Sequence, residues 1–277
     1  MIAVRPGARA EQARELMTQL ASSGPIVSRL MIVVAHPDDE TLALGGQISR
    51  LRDALLVHLT DGAPRDGEDA RHHGFTAPAD YAAARRNELA AALIAGEAAG
   101  VRSAALDIPD KETYRDLAGL ARRLLELLER ECPLAVLTHA YEGGHPDHDA
   151  AAFAVYAACR CLDPGDRPAI IEMPFYHACD GRMVCGRFLP GQGEELIIPL
   201  AEGDLQRKQR MVDCFTTQRE MLLQFPLSPE RLRLAPAYDF RQPPHPGPLL
   251  YEMFGWGISG TEWRNRAAEA LAALGLA

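Results

Sequence analysis

The sequence predicts an α/β fold: a Rossmann-like, mostly parallel sheet flanked by helices, with a C-terminal β-containing extension. Three observations lead there. Short continuous apolar runs recur along the chain, as strands buried on both faces require. Those runs alternate with helical stretches, the arrangement of βαβ units. After Pro174 the alternation stops and shorter, turn-rich segments take over.

In chain order, residues 1–24 read as an amphipathic helix, with Ala10, Ala13, Leu16, Met17 and Leu20 on its apolar face. No uninterrupted apolar core of a signal peptide is seen there, so a helical extension over residues 1–27 is expected. Residues 30–35 (LMIVVA) form the first strong strand, and a helix is expected over about residues 37–52. Residues 54–60 (ALLVHLT) read as a second strand. A segment rich in Gly, Asp and His over residues 61–80 is long enough for a lid. Helices are expected at 81–99, 114–131 and 146–161, and strands at 103–108, 134–139 and 169–173. Beyond Pro174, residues 182–189 and 195–200 look like an antiparallel pair around a Pro-Gly turn, and residues 202–224 like one helix. Dense proline over 226–248 suggests extended surface structure, and residues 261–274 a final helix.

Composition narrows the function. The chain has 277 residues, 47% apolar and 24% charged, with a formal charge of −9. That charge, without a basic run interleaved with aromatics, argues against a nucleic-acid binder. No apolar stretch is long enough to span a bilayer. The six cysteines contain no Cys-x-x-Cys pair and read as reduced residues of a cytoplasmic protein. Nothing in the sequence predicts an oligomer.

Two segments share a form. His36-Pro37-Asp38-Asp39-Glu40 directly follows the first strand, and His145-Pro146-Asp147-His148 follows another buried strand. In each, proline stands where a helix would begin. Both should therefore lie at the C-terminal ends of strands, where open α/β sheets place their sites. If those strands are neighbours, His36, Asp39, His145 and His148 can converge. Two imidazoles and a carboxylate leave a fourth position on zinc for water, the open arrangement of a hydrolytic site. Bound zinc lowers the pKa of that water to about 7, and Asp38 could take its proton. A single His-Pro-Asp reads more often as a helix cap than as a ligand, its acids favoured by the helix dipole. Two copies, each after a buried strand and each adding a ligand-type residue, read as a metal site.

The paired AHPDDE and GGHPDH motifs resemble the PIG-L/LmbE-like deacetylases over about residues 30–161 and in outline to 176. Leu59-Thr60-Asp61-Gly62, Arg85 to Glu88, and Pro109-Asp110 fit the same pattern. The resemblance implies zinc ligands His36, Asp39 and His148, with another divalent transition metal such as iron(II) as the alternative. It implies Asp38 as general base and His145 as the group that polarises the amide carbonyl and stabilises the oxyanion. Arg85 matches the arginine that approaches substrate in that family; otherwise it is a helix-surface charge pairing with Glu88 at i+3. Asp110 would accept hydrogen bonds from sugar hydroxyls or cap the following helix.

The implied activity is hydrolysis of an N-acetyl amide on an amino-sugar conjugate of the N-acetylglucosamine type. Two rivals stand beside it: a metal hydrolase of a longer N-acyl amide or phosphoester, and a non-catalytic sugar-binding protein. The expected organisation is residues 28–180 as the metal-binding core and 181–277 as a C-terminal part completing the substrate pocket. Several residues stay without a role at this stage. His139 suits a partner of a ligand imidazole, and His58 a sheet-face position. His72 and His73 sit in the lid segment, outside the metal set. Tyr141, His177 and His245 have no assigned place, and the aromatic segment 243–263 reads either as a sugar-stacking wall of the pocket or as an arm packing on the domain.

Overall fold

A computed structural model describes residues 8–276. In chain order the elements are α1 (Ala8–Ala21), β1 (Leu30–Val34), α2 (Asp39–Leu44), β2 (Ala54–Pro64), α3 (Glu68–His72), α4 (Pro78–Ala95), β3 (Val101–Asp110), α5 (Leu117–Glu131), β4 (Ala135–His139), α6 (Pro146–Cys161), β5 (Ala169–Met173), β6 (Tyr176–Cys179), β7 (Arg182–Cys185), β8 (Glu195–Ile198), α7 (Glu202–Val212), α8 (Arg219–Leu222), β9 (Glu230–Leu234), α9 (Leu250–Met253) and α10 (Gly260–Ala273). Seven strands form one sheet in the order β3-β2-β1-β4-β5-β9-β8. The first five are parallel and the last two antiparallel. This is the mostly parallel α/β sheet with a C-terminal β-containing extension that the alternation predicts.

Strand β1 shows why the apolar runs are continuous. Met31 and Val33 face a core shared with α5, α6 and α10, while Leu30, Ile32 and Val34 face a second core holding Leu16 and Leu20 of α1. With both faces covered, every position of β1 is buried. The strand order reverses at β1, which pairs with β2 on one side and β4 on the other. Such a reversal opens a crevice at the strand C-termini, and both His-Pro-Asp motifs emerge there.

The elements depart from the sequence expectations in physically readable ways. The helix expected over 37–52 is only α2 and a separate 3-10 turn (Ile48–Arg50), interrupted at Gly45 and Gly46. Pro37 precedes the α2 cap residue Asp38 and is not its first helical residue, whereas Pro146 does begin α6. The lid segment is shortened at both ends, since β2 runs on to Pro64 and α4 starts at Pro78, with α3 between. Residues 182–185 and 195–198 do not pair with each other. β7 pairs with β6, and β8 pairs with β9.

The helix expected over 202–224 is broken into α7, a 3-10 turn (Thr216–Gln218) and α8. The proline-rich stretch is not all surface, because it contains β9, whose Glu230, Leu232 and Arg233 are buried. The part of the predicted N-terminal helix before residue 8 lies outside the described residues. Among the described residues no helix is long and apolar enough to cross a membrane, and all six cysteines are free.

Candidate metal centre and active site

Both motifs meet because β1 and β4 lie side by side, in register from Leu30–Ala135 to Val33–Thr138. His36 sits just past β1, Asp39 opens α2, and His148 lies in the first turn of α6. His36 Nδ1 is 3.2 Å from His148 Nε2 and 3.5 Å from Asp39 Oδ2, and His148 Nε2 is 3.5 Å from Asp39 Oδ1. A tetrahedral zinc about 2.0–2.1 Å from its ligands holds neighbouring donor atoms roughly 3.3 Å apart. The two imidazole nitrogens stand at about the spacing one such ion would impose, and the Asp39 carboxylate presents Oδ2 to one and Oδ1 to the other. All three side chains are buried.

Other donor groupings exist in the same cluster: His36, His145 and His148; Asp39, His139 and His148; and His36, Asp110, His145 and Asp147. Two of the extra members are already engaged. His139 Nε2 accepts the backbone N–H of Ala35 at 3.0 Å. The Asp147 carboxylate accepts the backbone N–H groups of Lys111 and Thr113 and the Thr113 hydroxyl. The motifs imply the set His36, Asp39 and His148, and His36, His145 and His148 form a second set in the same cluster.

The surrounding shell orients these groups. His36 Nε2 lies 3.0 Å from Asp110 Oδ1, so a carboxylate meets the ring nitrogen that faces away from His148. Asp39 Oδ2 accepts the His36 backbone N–H at 2.7 Å, tying the motif to itself. His139 stacks on His148 with ring centroids 4.0 Å apart. Glu40 points away from the centre and pairs with His58 at 3.0 Å, fastening α2 to β2. Two motif glycines are explained by close approach. A Cβ on Gly144 would lie 1.9 Å from the Tyr176 carbonyl oxygen, and one on Gly62 would lie 2.5 Å from the Arg85 guanidinium.

Arg85 is not the solvated partner of Glu88. It is buried, and donates to Asp38 Oδ2 at 2.7 Å and to the Gly62 carbonyl at 2.8 Å. Glu88 instead accepts from Thr216 and Thr217. Burial pushes the Asp38 carboxyl up and Asp39 pushes it further, while Arg85 restrains the rise; the outcome is a pKa of about 6. That is the range of a usable general base. Burial and the neighbouring His36 hold His145 well below the usual histidine range, with Asp110 opposing. His145 is thus neutral. Its Nδ1 accepts the Asp147 backbone N–H at 3.1 Å, which leaves the proton on Nε2 as a donor. Burial works against charge on His36 and Asp110, but their mutual attraction outweighs it, raising the one and lowering the other.

The centre forms the floor of a cavity of about 350 Å³, lined also by Arg85, Asp110, Lys111, Tyr176, Gln218 and Trp256. All seven site residues read from the sequence reach it. His72 at the end of α3 and His73 just after it line the cavity and stay outside the donor cluster. Tyr141 does not reach it: it is packed in the core, its hydroxyl donating to the Gln242 carbonyl. His177 is buried 3.6 Å from Glu142 and is not among the lining residues; neither is His245. Of the C-terminal aromatics, only Trp256 lines the cavity, while Tyr251 and Trp263 are core. Sequence reasoning passed over Asp147, although it lies inside the HPDH motif. Tyr176 and Gln218 carried no local signal, whereas Trp256 belongs to the aromatic segment whose role the sequence left open.

The fold is an α/β sheet whose crevice holds a His/Asp cluster able to bind a metal, and the chain has recognisable relatives. Residues 31–159 match the family model of PIG-L, described as GlcNAc-PI de-N-acetylase. That match covers less than half of the chain and includes both His-Pro-Asp motifs. A probable N-acetyl-alpha-D-glucosaminyl L-malate deacetylase 2 of Bacillus cereus is 31% identical over 147 residues, covering 51% of this chain and 65% of the relative. A 1D-myo-inositol 2-acetamido-2-deoxy-alpha-D-glucopyranoside deacetylase 2 of Saccharopolyspora erythraea is 30% identical over 168 residues, covering 51% and 60%. The matches thus span less than two thirds of these relatives' lengths. The fold is shared with a teicoplanin deacetylase (TM-score 0.56, 17% identity, 76% of this chain and 100% of that one). It is also shared with the N,N'-diacetylchitobiose deacetylase of Pyrococcus horikoshii (TM-score 0.51, 16% identity, 85% and 95%).

Proposed function

We propose that this protein is a metal-dependent deacetylase that hydrolyses the N-acetyl amide of an amino-sugar conjugate, giving the free amine and acetate. One observation carries the reading: Asp38 and His145 flank the His36, Asp39 and His148 triangle on the floor of a single pocket. Zinc suits two imidazoles and a carboxylate, with iron(II) as the alternative. When bound, the metal would acidify water and polarise the acyl carbonyl.

The protein's own groups perform the rest. Asp38, anchored through one oxygen by Arg85, takes the proton of the attacking water. His145, neutral and carrying its proton on Nε2, donates to the carbonyl oxygen as negative charge develops there. Water adds its oxygen to the carbonyl carbon, the C–N bond breaks, and the proton held by Asp38 goes to the departing amine. Arg85 acts here by holding Asp38, and Asp110 by orienting His36; contact of either with sugar hydroxyls is a further part of the proposal. The amino-sugar assignment is supported by the names of the two curated relatives. The division into an extension over 1–27, a core over 28–180 and a pocket-completing part over 181–277 belongs to the same reading, as does a cytoplasmic setting, supported by six free cysteines.

Purified protein loaded with zinc should release acetate from N-acetylglucosamine conjugates. Faster turnover of longer N-acyl or phosphoester substrates would overturn the assignment of the bond. Metal binding without turnover of any of them would favour the non-catalytic alternative.

A further inference from the structure

His139 ends β4 and is fully buried, yet takes no part in the chemistry described above. The ladder between β1 and β4 stops at the pair Val33–Thr138. The His139 side chain makes the next link: its Nε2 lies 3.0 Å from the backbone nitrogen of Ala35, the residue before His36. An amide N–H only donates, so Nε2 accepts with its lone pair and the ring proton sits on Nδ1. The same Nε2 stands 3.3 Å from Asp39 Oδ2. Both of these atoms present lone pairs, so no hydrogen bond joins them, and Oδ2 takes the His36 N–H instead. The face of the His139 ring stacks on that of His148, with centroids 4.0 Å apart and planes inclined by 16°. Phe175 packs against it at 4.2 Å.

One ring therefore touches all three segments that carry the implied ligands: the backbone beside His36, the carboxylate of Asp39 and the imidazole of His148. Its cost argues against simple space filling. Nδ1 has no hydrogen-bond partner among the described residues, and a buried polar group left without one is destabilising. An apolar side chain would avoid that cost but would leave the Ala35 N–H unpaired beside the first motif. His139 also brings neither charge nor proton to Asp39, so the carboxylate keeps its charge for a cation. Asp39, His139 and His148 stand close enough to share an ion. The Ala35 N–H, however, occupies the lone pair that His139 would need for that.

We propose that His139 is a positioning residue of the metal centre: its bond to Ala35 fixes where His36 leaves β1, and its ring fixes the plane of His148. The proposal rests on the metal-dependent reading of the same site and gives His139 no contact with metal or substrate.

Two variants separate the contacts. His139→Phe keeps a flat ring against His148 and deletes the acceptor, whereas His139→Gln keeps an acceptor and deletes the ring. Zinc Kd, read by competition with a chelator, should rise by about 10–100-fold in His139→Phe, the span for residues that orient metal ligands. The rise should be smaller in His139→Gln, which retains the link to Ala35. Metal stoichiometry should stay unchanged, and the visible absorption of the cobalt(II)-loaded protein should shift in His139→Phe. At saturating zinc, kcat should fall with KM little changed. His139→Asn, whose shorter side chain withdraws the acceptor, serves if His139→Phe does not fold. A lowered melting temperature with zinc Kd and cobalt spectrum unchanged would reduce His139 to a packing residue and overturn the proposal. Loss of the bound metal would overturn it the other way, by making His139 a ligand. Weakened zinc binding in the variants of a protein that releases no acetate would sink the deacetylation reading and keep the proposal; acetate release with unchanged zinc affinity would do the reverse.

Discussion

Asp38 is where burial, charge and chemistry meet in one residue. Burial raises its carboxyl and Arg85 restrains the rise, leaving a pKa of about 6. A bound cation would lower it further. Since the base must be ionised, activity should fall as pH drops, with an acid limb at or below about 6; a limb centred above pH 7 would contradict the assignment. Asp38→Ala should lower kcat by about a hundred- to ten-thousandfold, the span of general-base contributions. Metal content, read by elemental analysis, should stay unchanged, because Asp38 is not in the donor triangle. His148→Ala should do the opposite first, and unchanged stoichiometry would remove His148 from the ligand set. Arg85→Met leaves Asp38 buried without its cation, so the acid limb should move to higher pH.

At the scale of elements, the site depends on a few fasteners that hold loops to strands. One is the Lys208–Glu230 pair, fully buried at 2.9 Å, with Lys208 also donating to the Leu42 carbonyl and Glu230 accepting the Gly46 N–H. It ties α7 and β9 to the segment that ends α2, one turn beyond Asp39. Removing one partner strands a buried charge, so Lys208→Met should cost about 3–5 kcal/mol in denaturant unfolding. The double replacement Lys208→Met with Glu230→Gln should recover part of that loss. Equal losses in the single and double variants would show that the pair is not the fastener. The sequence expectation of surface structure over 226–248 missed this. Proline density marks where a strand cannot be central, yet β9 occupies the gap between Ser228-Pro229 and Pro236, donating to β8 and β5 as an antiparallel addition to the sheet.

For the molecule as a whole, the proposed metal centre concentrates like charge. Asp38, Asp39, Asp110 and Asp147 are all buried around four imidazoles, those of His36, His139, His145 and His148. A ligand that binds only the folded state adds stability by mass action, about 2.7 kcal/mol at a hundred times its Kd. Chelation should therefore lower the melting temperature as well as abolish turnover, and zinc should restore both. The His148→Ala variant should show a much smaller thermal response to zinc. An equal response in wild type and variant would place the ion elsewhere.

The sequence by itself determined the layered α/β fold and the floor of the site. Doubly buried strands need unbroken apolar runs, helices after them need caps, and metal ligands are confined to a few residue types; each constraint is local and leaves a local mark. His36, Asp38, Asp39, His145 and His148 were legible for that reason, and α6 and β5 had the bounds the sequence predicts. Only the tertiary structure decided that β1 and β4 are neighbours, which makes two motifs one centre. It also decided that Arg85 turns inward to Asp38, and that Trp256 and Gln218 reach the pocket from the far half of the chain. Strand order and the path of an irregular C-terminal segment arise from contacts between residues distant in sequence. No periodicity or motif within either segment records them.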